Sequence, residues 1–158
     1  MKILVISDSH GNIANIKHVM GFAKNIKVSA VIHCGDWDNE ESVEAVLSFG
    51  IPLYSILGNA DVDSKLEDML KFECKKFEEN LLQFELDSRK ISVIHQVKLD
   101  DERLKNQDVV FSGHYHSKEI KEINFVKFVR PGALINGNDF AVYETTNNEI
   151  EFFTDVEI

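Results

Sequence analysis

The 158-residue chain has little of what marks several special classes of protein: two cysteines, two prolines and one tryptophan. Cys34 and Cys74 lie far apart and form no Cys-x-x-Cys pair, which disfavours a zinc knuckle or a disulfide framework and is typical of free thiols in the cytoplasm. The scarcity of proline and a hydrophobic fraction of 44% exclude a disordered or fibrous chain. We therefore expect one globular domain spanning residues 1–158, located in the cytoplasm.

A cluster of basic residues and a long apolar run are also missing. The 27 acidic and 17 basic residues give a net charge of −10, which disfavours stable binding to duplex nucleic acid or to an anionic membrane. The apolar N-terminal run turns polar at Ser7, too early for a signal peptide, and Gly50 and Pro52 interrupt the longest apolar stretch. An anionic substrate would need a local source of positive charge.

The hydrophobic pattern predicts an α/β fold. Apolar strands at 2–7, 30–34 and 52–57 alternate with helices at 13–23 and 40–49, an order typical of a parallel sheet covered by helices. The second half reads as strands with one short helix near 99–105, and we expect its later strands to pair antiparallel. The predicted strands of this half are 81–86, 90–95, 108–112, 119–123, 126–129, 140–145 and 149–153.

Polar side chains gather just past the ends of the predicted strands, where α/β sheets bind ligands. Two carboxylates, one amide and four imidazoles make a mixed nitrogen and oxygen set, which exceeds what one tetrahedral metal needs and suits two ions that share a ligand. Without a thiolate, this set favours Mn, Fe, Ni, Co or Zn. The seven candidate ligands are Asp8, His10, Asp36, Asn59, His95, His114 and His116.

The order and spacing of these candidate ligands resemble the pattern of the calcineurin-like metallophosphoesterases. Within that family, they resemble the small single-domain prokaryotic phosphodiesterases. The matching blocks are Asp8-x-His10, Gly35-Asp36, Gly58-Asn59-x-Asp61, His95 and Gly113-His114-x-His116. The resemblance implies a four-layer α/β/β/α sandwich with two mixed β-sheets flanked by helices. It also implies that Asp8, His10 and His116 hold one metal, that Asn59, His95 and His114 hold the other, and that Asp36 bridges both.

The activity implied by the resemblance is hydrolysis of a small phosphodiester substrate by a hydroxide held between two divalent ions. Mn²⁺ is the first candidate for these ions, and Ni²⁺, Co²⁺, Fe²⁺ and Zn²⁺ are the alternatives. Asp36, Asn59 and His114 would be the catalytic residues. Two alternatives stay open: a non-catalytic metal-binding scaffold of the same fold, and a phosphomonoesterase or nuclease. A homo-oligomer is compatible with the sequence, and a membrane partner is not expected.

The sequence departs from the family pattern at three places. Ala60 stands where many relatives carry a histidine that protonates the leaving group, Gln96 stands where glycine is common, and Arg130 opens a block that is often Asn-Pro-Gly-Ser. Because the first change removes an acid, we expect a preference for good leaving groups. The other two changes fall on the pocket wall.

Other polar residues near the candidate ligands have two interpretations. Asp38 and Asp61 either orient a ligand or serve as turn and cap residues. We expect His33 to be a packed histidine and Phe72 to belong to the core.

Overall fold

A computed structural model describes residues 1–157 of the chain. It contains three α-helices, α1 (Ile13–Asn25), α2 (Glu40–Leu47) and α3 (Ser64–Glu73). Its strands are β1 (Lys2–Ile6), β2 (Ala30–His33), β3 (Leu53–Ile56), β4 (Lys76–Glu78), β5 (Leu81–Leu86), β6 (Arg89–Ile94), β7 (Val109–Phe111), β8 (Lys118–Ile123), β9 (Val126–Pro131), β10 (Phe140–Glu144) and β11 (Glu149–Phe153).

Two mixed sheets pack face to face, and the predicted fold class is confirmed. The first sheet has the order β11-β10-β1-β2-β3-β4 and the second has the order β5-β6-β7-β9-β8. Side chains such as Ile3, Ile32, Val93 and Phe111 form a buried cluster between the sheets. Strands β1, β2 and β3 run parallel in one sheet, and β6 and β7 run parallel in the other. The carboxyl ends of these strands form the edge at which the candidate ligands lie.

The layers outside the two sheets differ in thickness. The three helices bury a large apolar cluster against the first sheet, which includes Ile16, Val46 and Leu66. The second sheet is covered by a smaller cluster around Leu104, in a single 3-10 turn at Glu102–Leu104. The helix predicted at 99–105 is therefore wrong in type and length, because only one residue of the turn is buried.

The antiparallel pairing predicted for the later strands is confirmed for β8 with β9 and for β10 with β11, but the chain does not divide into a parallel half and an antiparallel half. Strands β10 and β11 leave the second half and join the first sheet, where β10 pairs antiparallel with β1. In the second sheet, β7 pairs parallel with both of its neighbours. The sequence pattern also missed α3 and β4, and Phe72 on α3 is 86% exposed instead of buried.

Candidate metal centre

The seven predicted ligands lie together at the edge where the parallel strands end. Short distances connect them in one series, through Asp36 to both His10 and His95, and through Asn59 to His114. Asp8 joins at the other side, where its Oδ1 lies 3.3 Å from His116 Nε2. The fold therefore brings residues from positions 8 to 116 into one cluster.

One group within the cluster consists of Asp8, His10 and His116, whose ligand atoms all lie within 4.8 Å of one another. Asp8 is fully buried, and its carboxylate accepts hydrogen bonds from the Ser7 hydroxyl at 2.5 Å and the His114 N–H at 3.1 Å. This network fixes the carboxylate before any ligand arrives.

A second group forms around the amide oxygen of Asn59. This oxygen lies 3.0 Å from His95 Nε2 and 2.9 Å from His114 Nδ1, and the two imidazole rings meet edge to face. The group matches the second set of ligands that the sequence predicts.

Asp36 stands between the two groups. Its Oδ2 lies 3.4 Å from His10 Nε2 and 3.3 Å from His95 Nε2, so one oxygen faces an imidazole from each group. Burial opposes ionisation of this carboxyl, but hydrogen bonds from His95 and from the Ala60 N–H lower its pKa to about 2. Asp36 is therefore an anion at the position expected of a shared ligand.

The histidine partners test whether this donor set fits a metal. Nδ1 of His95 lies 2.7 Å from the Cys34 carbonyl oxygen, so the proton belongs on Nδ1, and Nε2 then presents a lone pair toward the oxygens of Asp36 and Asn59. Three acceptors facing one another repel unless a proton or a metal cation lies between them. Burial lowers the pKa of His95, but its contacts with Asp36 and the Cys34 carbonyl outweigh burial and raise it, which favours a positive charge beside Nε2.

His10 repeats this arrangement. Its Nδ1 lies 3.1 Å from the Asp38 carboxylate, while its buried Nε2 has no hydrogen-bond partner and points toward Asp36. A carboxylate on one ring nitrogen and an open second nitrogen is the arrangement that proteins use for metal-binding histidines. The residues present therefore fit a metal centre, and Asp38 fixes the ring of the predicted ligand His10.

Asp61 orients the backbone of the site. It is buried, and its two oxygens accept four backbone N–H groups at 2.7 to 2.9 Å, from Asp36, Trp37, Asp38 and Gly58. Burial raises the pKa of this carboxyl while the N–H groups oppose the rise. Asp61 therefore ties the loop after β2 to the loop after β3. Its partners are backbone N–H groups, which favours the interpretation as a turn and cap residue.

The backbone at the site is constrained. Five of the seven predicted ligands have left-handed φ angles between 42° and 72°: Asp8, His10, Asp36, His114 and His116. Such conformations cost free energy for residues other than glycine and cluster at functional sites. Close approach adds a second constraint, because a side chain at Gly58 would collide with the Asp36 carboxylate and one at Gly113 with Ser7 and Asp8.

His33 has a larger structural role than sequence reasoning assigned to it. Its Nδ1 accepts the Gly35 N–H, its Nε2 lies 3.1 Å from the Ser9 hydroxyl, and its ring stacks on buried Trp37 at 3.5 Å. The signal in the sequence was a polar residue at the end of an apolar strand. Its partners could not be read there, because they lie on other loops.

No helix within the described residues 1–157 is long and apolar enough to cross a bilayer.

The sequence profile of the calcineurin-like phosphoesterase superfamily domain matches residues 1–148. A phosphodiesterase of Methanocaldococcus jannaschii is 27% identical over 138 residues, which cover 84% of this chain and 83% of the relative.

Two solved structures illustrate the similarity of fold. An archaeal phosphodiesterase superposes with a TM-score of 0.84 at 22% identity, covering 98% of this chain and 99% of the other. Vps29 from Entamoeba histolytica, solved with Zn²⁺, superposes with a TM-score of 0.71 at 17% identity, covering 99% and 94%. Identity this low supports the shared fold alone.

Proposed function

This chain belongs to the calcineurin-like phosphoesterase superfamily and is a hydrolase of phosphoester bonds, and from that premise we propose that it is a phosphodiesterase that uses two divalent metal ions, Mn²⁺ first among the candidates. One observation carries the proposal: a single oxygen of Asp36 faces one imidazole from each of two ligand groups. A site for one ion would not need seven ligands with a carboxylate at their centre.

Two ions would be held by this chain in two sets. Asp8, His10 and His116 would hold one ion, the other three predicted ligands would hold the second, and Asp36 would contact both. When bound, two such ions supply water that is acidic near neutral pH and positive charge for the phosphate oxygens.

Side chains of the site would contact the substrate phosphate and hold the ligands in place. Asn59 is exposed and His114 is half-buried, so both are accessible to a phosphate at the mouth of the site. Asp38 and the Cys34 carbonyl keep His10 and His95 oriented by holding their Nδ1 atoms. Asp36, Asn59 and His114 are accordingly the residues to which we assign catalytic roles.

Protonation of the leaving group is the step with no evident donor. Ala60 follows Asn59, and its N–H donates to Asp36 Oδ1 at 2.9 Å, while its side chain carries no acid. A positioned general acid contributes about 10²- to 10⁴-fold in rate. The proposal therefore includes a preference for diesters whose leaving oxygen is already stable as an anion.

The test is a substrate panel with and without metal. We expect the protein treated with chelator to stay folded but lose turnover, and added Mn²⁺, Ni²⁺ or Co²⁺ to restore hydrolysis of aryl phosphodiesters more than of the matching monoesters. Circular dichroism of the chelated protein provides the control for folding. Full turnover of a protein shown to contain no metal, or turnover of monoesters alone, would contradict the proposal.

A further inference from the structure

A cavity of about 230 Å³ lies beside the candidate metal centre, on the outer face of the second sheet. Its lining is mixed: Val97, Leu99 and Phe128 are apolar, Glu119 and Lys121 are charged, and Tyr115 lies toward the site. This volume is large enough for a six-membered ring, and none of the roles assigned above uses it.

Tyr115 connects this cavity to the metal centre. It stands between His114 and His116 in the chain, its ring meets the His114 ring edge to face at 4.9 Å, and its side chain is 53% exposed. A lone exposed aromatic residue needs no explanation. Tyr115, however, both contacts the candidate ligand His114 and lines a cavity, so a substrate bound at the site can reach its ring.

Two neighbours hold the Tyr115 ring. The Gln96 amide donates to its hydroxyl at 3.1 Å, and the Arg130 guanidinium lies 5.1 Å from its ring centroid. Arg130 is itself fixed, because it pairs with Glu119 at 3.0 Å and donates to the Ser117 hydroxyl at 3.1 Å. The ring is therefore preorganised instead of free to turn into solvent.

These contacts also involve two of the positions at which the sequence departs from the family pattern. Gln96 and Arg130, which replace residues more usual in the family, both touch Tyr115. Both contacts of the Tyr115 side chain thus come from positions at which the sequence departs from the family pattern, while the predicted ligands follow it.

We propose that this cavity is a subsite for a planar aromatic substituent of the phosphoester, with Tyr115 as its specificity-determining residue. The inference rests on the proposed function only in requiring that the metal centre binds a phosphoryl group. The ring of the substrate would enter the cavity next to Tyr115 while its phosphoryl group stays with Asn59 and His114. Stacking on an aromatic side chain depends on the planar face of the ligand.

The test measures binding, which separates it from turnover. Calorimetric titration of the Mn²⁺-loaded protein with phenylphosphonate, cyclohexylphosphonate and methylphosphonate compares a planar ring, a puckered ring and no ring on the same anionic group. We expect phenylphosphonate to bind about tenfold more tightly than methylphosphonate, within the usual effect of one stacking contact, and cyclohexylphosphonate to fall between them.

Three variants complete the experiment. Tyr115→Leu and the cavity-filling Val97→Phe should each reduce the preference for phenylphosphonate to about twofold and leave the affinity for methylphosphonate unchanged. Val97→Phe leaves the loop of Tyr115 intact, so it answers the question even where Tyr115→Leu alters metal content. Phe125→Leu is the matched control, because Phe125 is 91% exposed at the opposite end of the second sheet.

Three results would overturn the subsite: no preference for phenylphosphonate in the unmodified protein, equal binding of the two rings, or a preference that survives both cavity variants. Each can occur in a protein that hydrolyses diesters normally, so the proposed function would stand. Conversely, a protein that shows the expected preference but hydrolyses no diester would retain the subsite and lose the proposed function.

Discussion

The two sheets supply different chemistry to the same edge. Loops of the first sheet contribute every oxygen ligand predicted from the sequence and one imidazole, whereas loops of the second sheet contribute imidazoles alone: His95, His114 and His116. The carboxylates of the first sheet are buried, with Asp36 at 3% exposure, while the His116 side chain is 42% exposed. The first sheet thus provides buried carboxylates, and the second provides imidazoles, of which His95 is buried and His116 is exposed.

The same contrast holds away from the site. Three helices cover the first sheet, while one 3-10 turn covers the second and leaves a cavity of about 190 Å³ beside Leu104. Because buried apolar area dominates folding free energy, the first sheet and its helices should carry most of the stability.

The largest effect should come from removing the shared carboxylate. Asp36→Asn keeps the shape of the side chain but loses its charge, so we expect metal content to fall at both positions and kcat to drop at least ~100-fold. His116→Gln on the second sheet should disturb one position and cost about tenfold. Metal analysis and steady-state kinetics on both variants make the comparison, and Asp36→Asn with two metals per chain and near-normal turnover would contradict it.

Asp61 tests whether the loops of the first sheet are held by their hydrogen bonds. Asp61→Ala leaves four backbone N–H groups without their acceptor, so the free energy of unfolding should fall by about 3 kcal/mol. Asp63→Ala is the matched control, since Asp63 caps α3 through one backbone N–H and its loss should cost about 1 kcal/mol. Urea titrations of both metal-free variants measure the difference, and equal losses would show that the Asp61 network is dispensable.

The unequal cover of the two sheets predicts unequal costs for the same substitution. Leu66→Ala under the first sheet should lower the free energy of unfolding by roughly 3–4 kcal/mol, because α3 packs it among other buried side chains. Leu104→Ala should cost about 2 kcal/mol, since Leu104 already borders a cavity. Both residues are at most 1% exposed, so an equal cost would mean that the thin layer contributes as much as the helices.

The smallest effect concerns the missing acid on the first sheet. Ala60→His adds a second imidazole to that side, and it should raise kcat/KM about tenfold for diesters with poor leaving groups while leaving good ones unchanged. A plot of log kcat/KM against leaving-group pKa should be steep for the unmodified protein and shallower for the variant. A flat plot for the unmodified protein would mean that another group supplies the proton.

How much the sequence could predict differs between local and long-range features. The strands after which Asp8, Asp36 and His95 stand are visible as apolar runs, and parallel pairing explains why Asp8 lies beside Asp36. The meeting of His95 with them depends on how the two sheets pack, which no local pattern shows. The pairing of β10 with β1 joins residues about 140 positions apart and leaves no local signal. The Asp61 network escapes prediction for a related reason, because three of its four partners are backbone groups of another loop.

The central claim is that two metal ions bind at the edge where the parallel strands of both sheets end, and that they share Asp36. Crystals grown with Mn²⁺ and measured at the manganese absorption edge test it most directly, because anomalous difference density locates each ion without reference to activity. The account predicts two peaks, one among Asp8, His10 and His116 and one among Asn59, His95 and His114, with the Asp36 carboxylate between them. A single peak, or two peaks of which only one lies against Asp36, would contradict it.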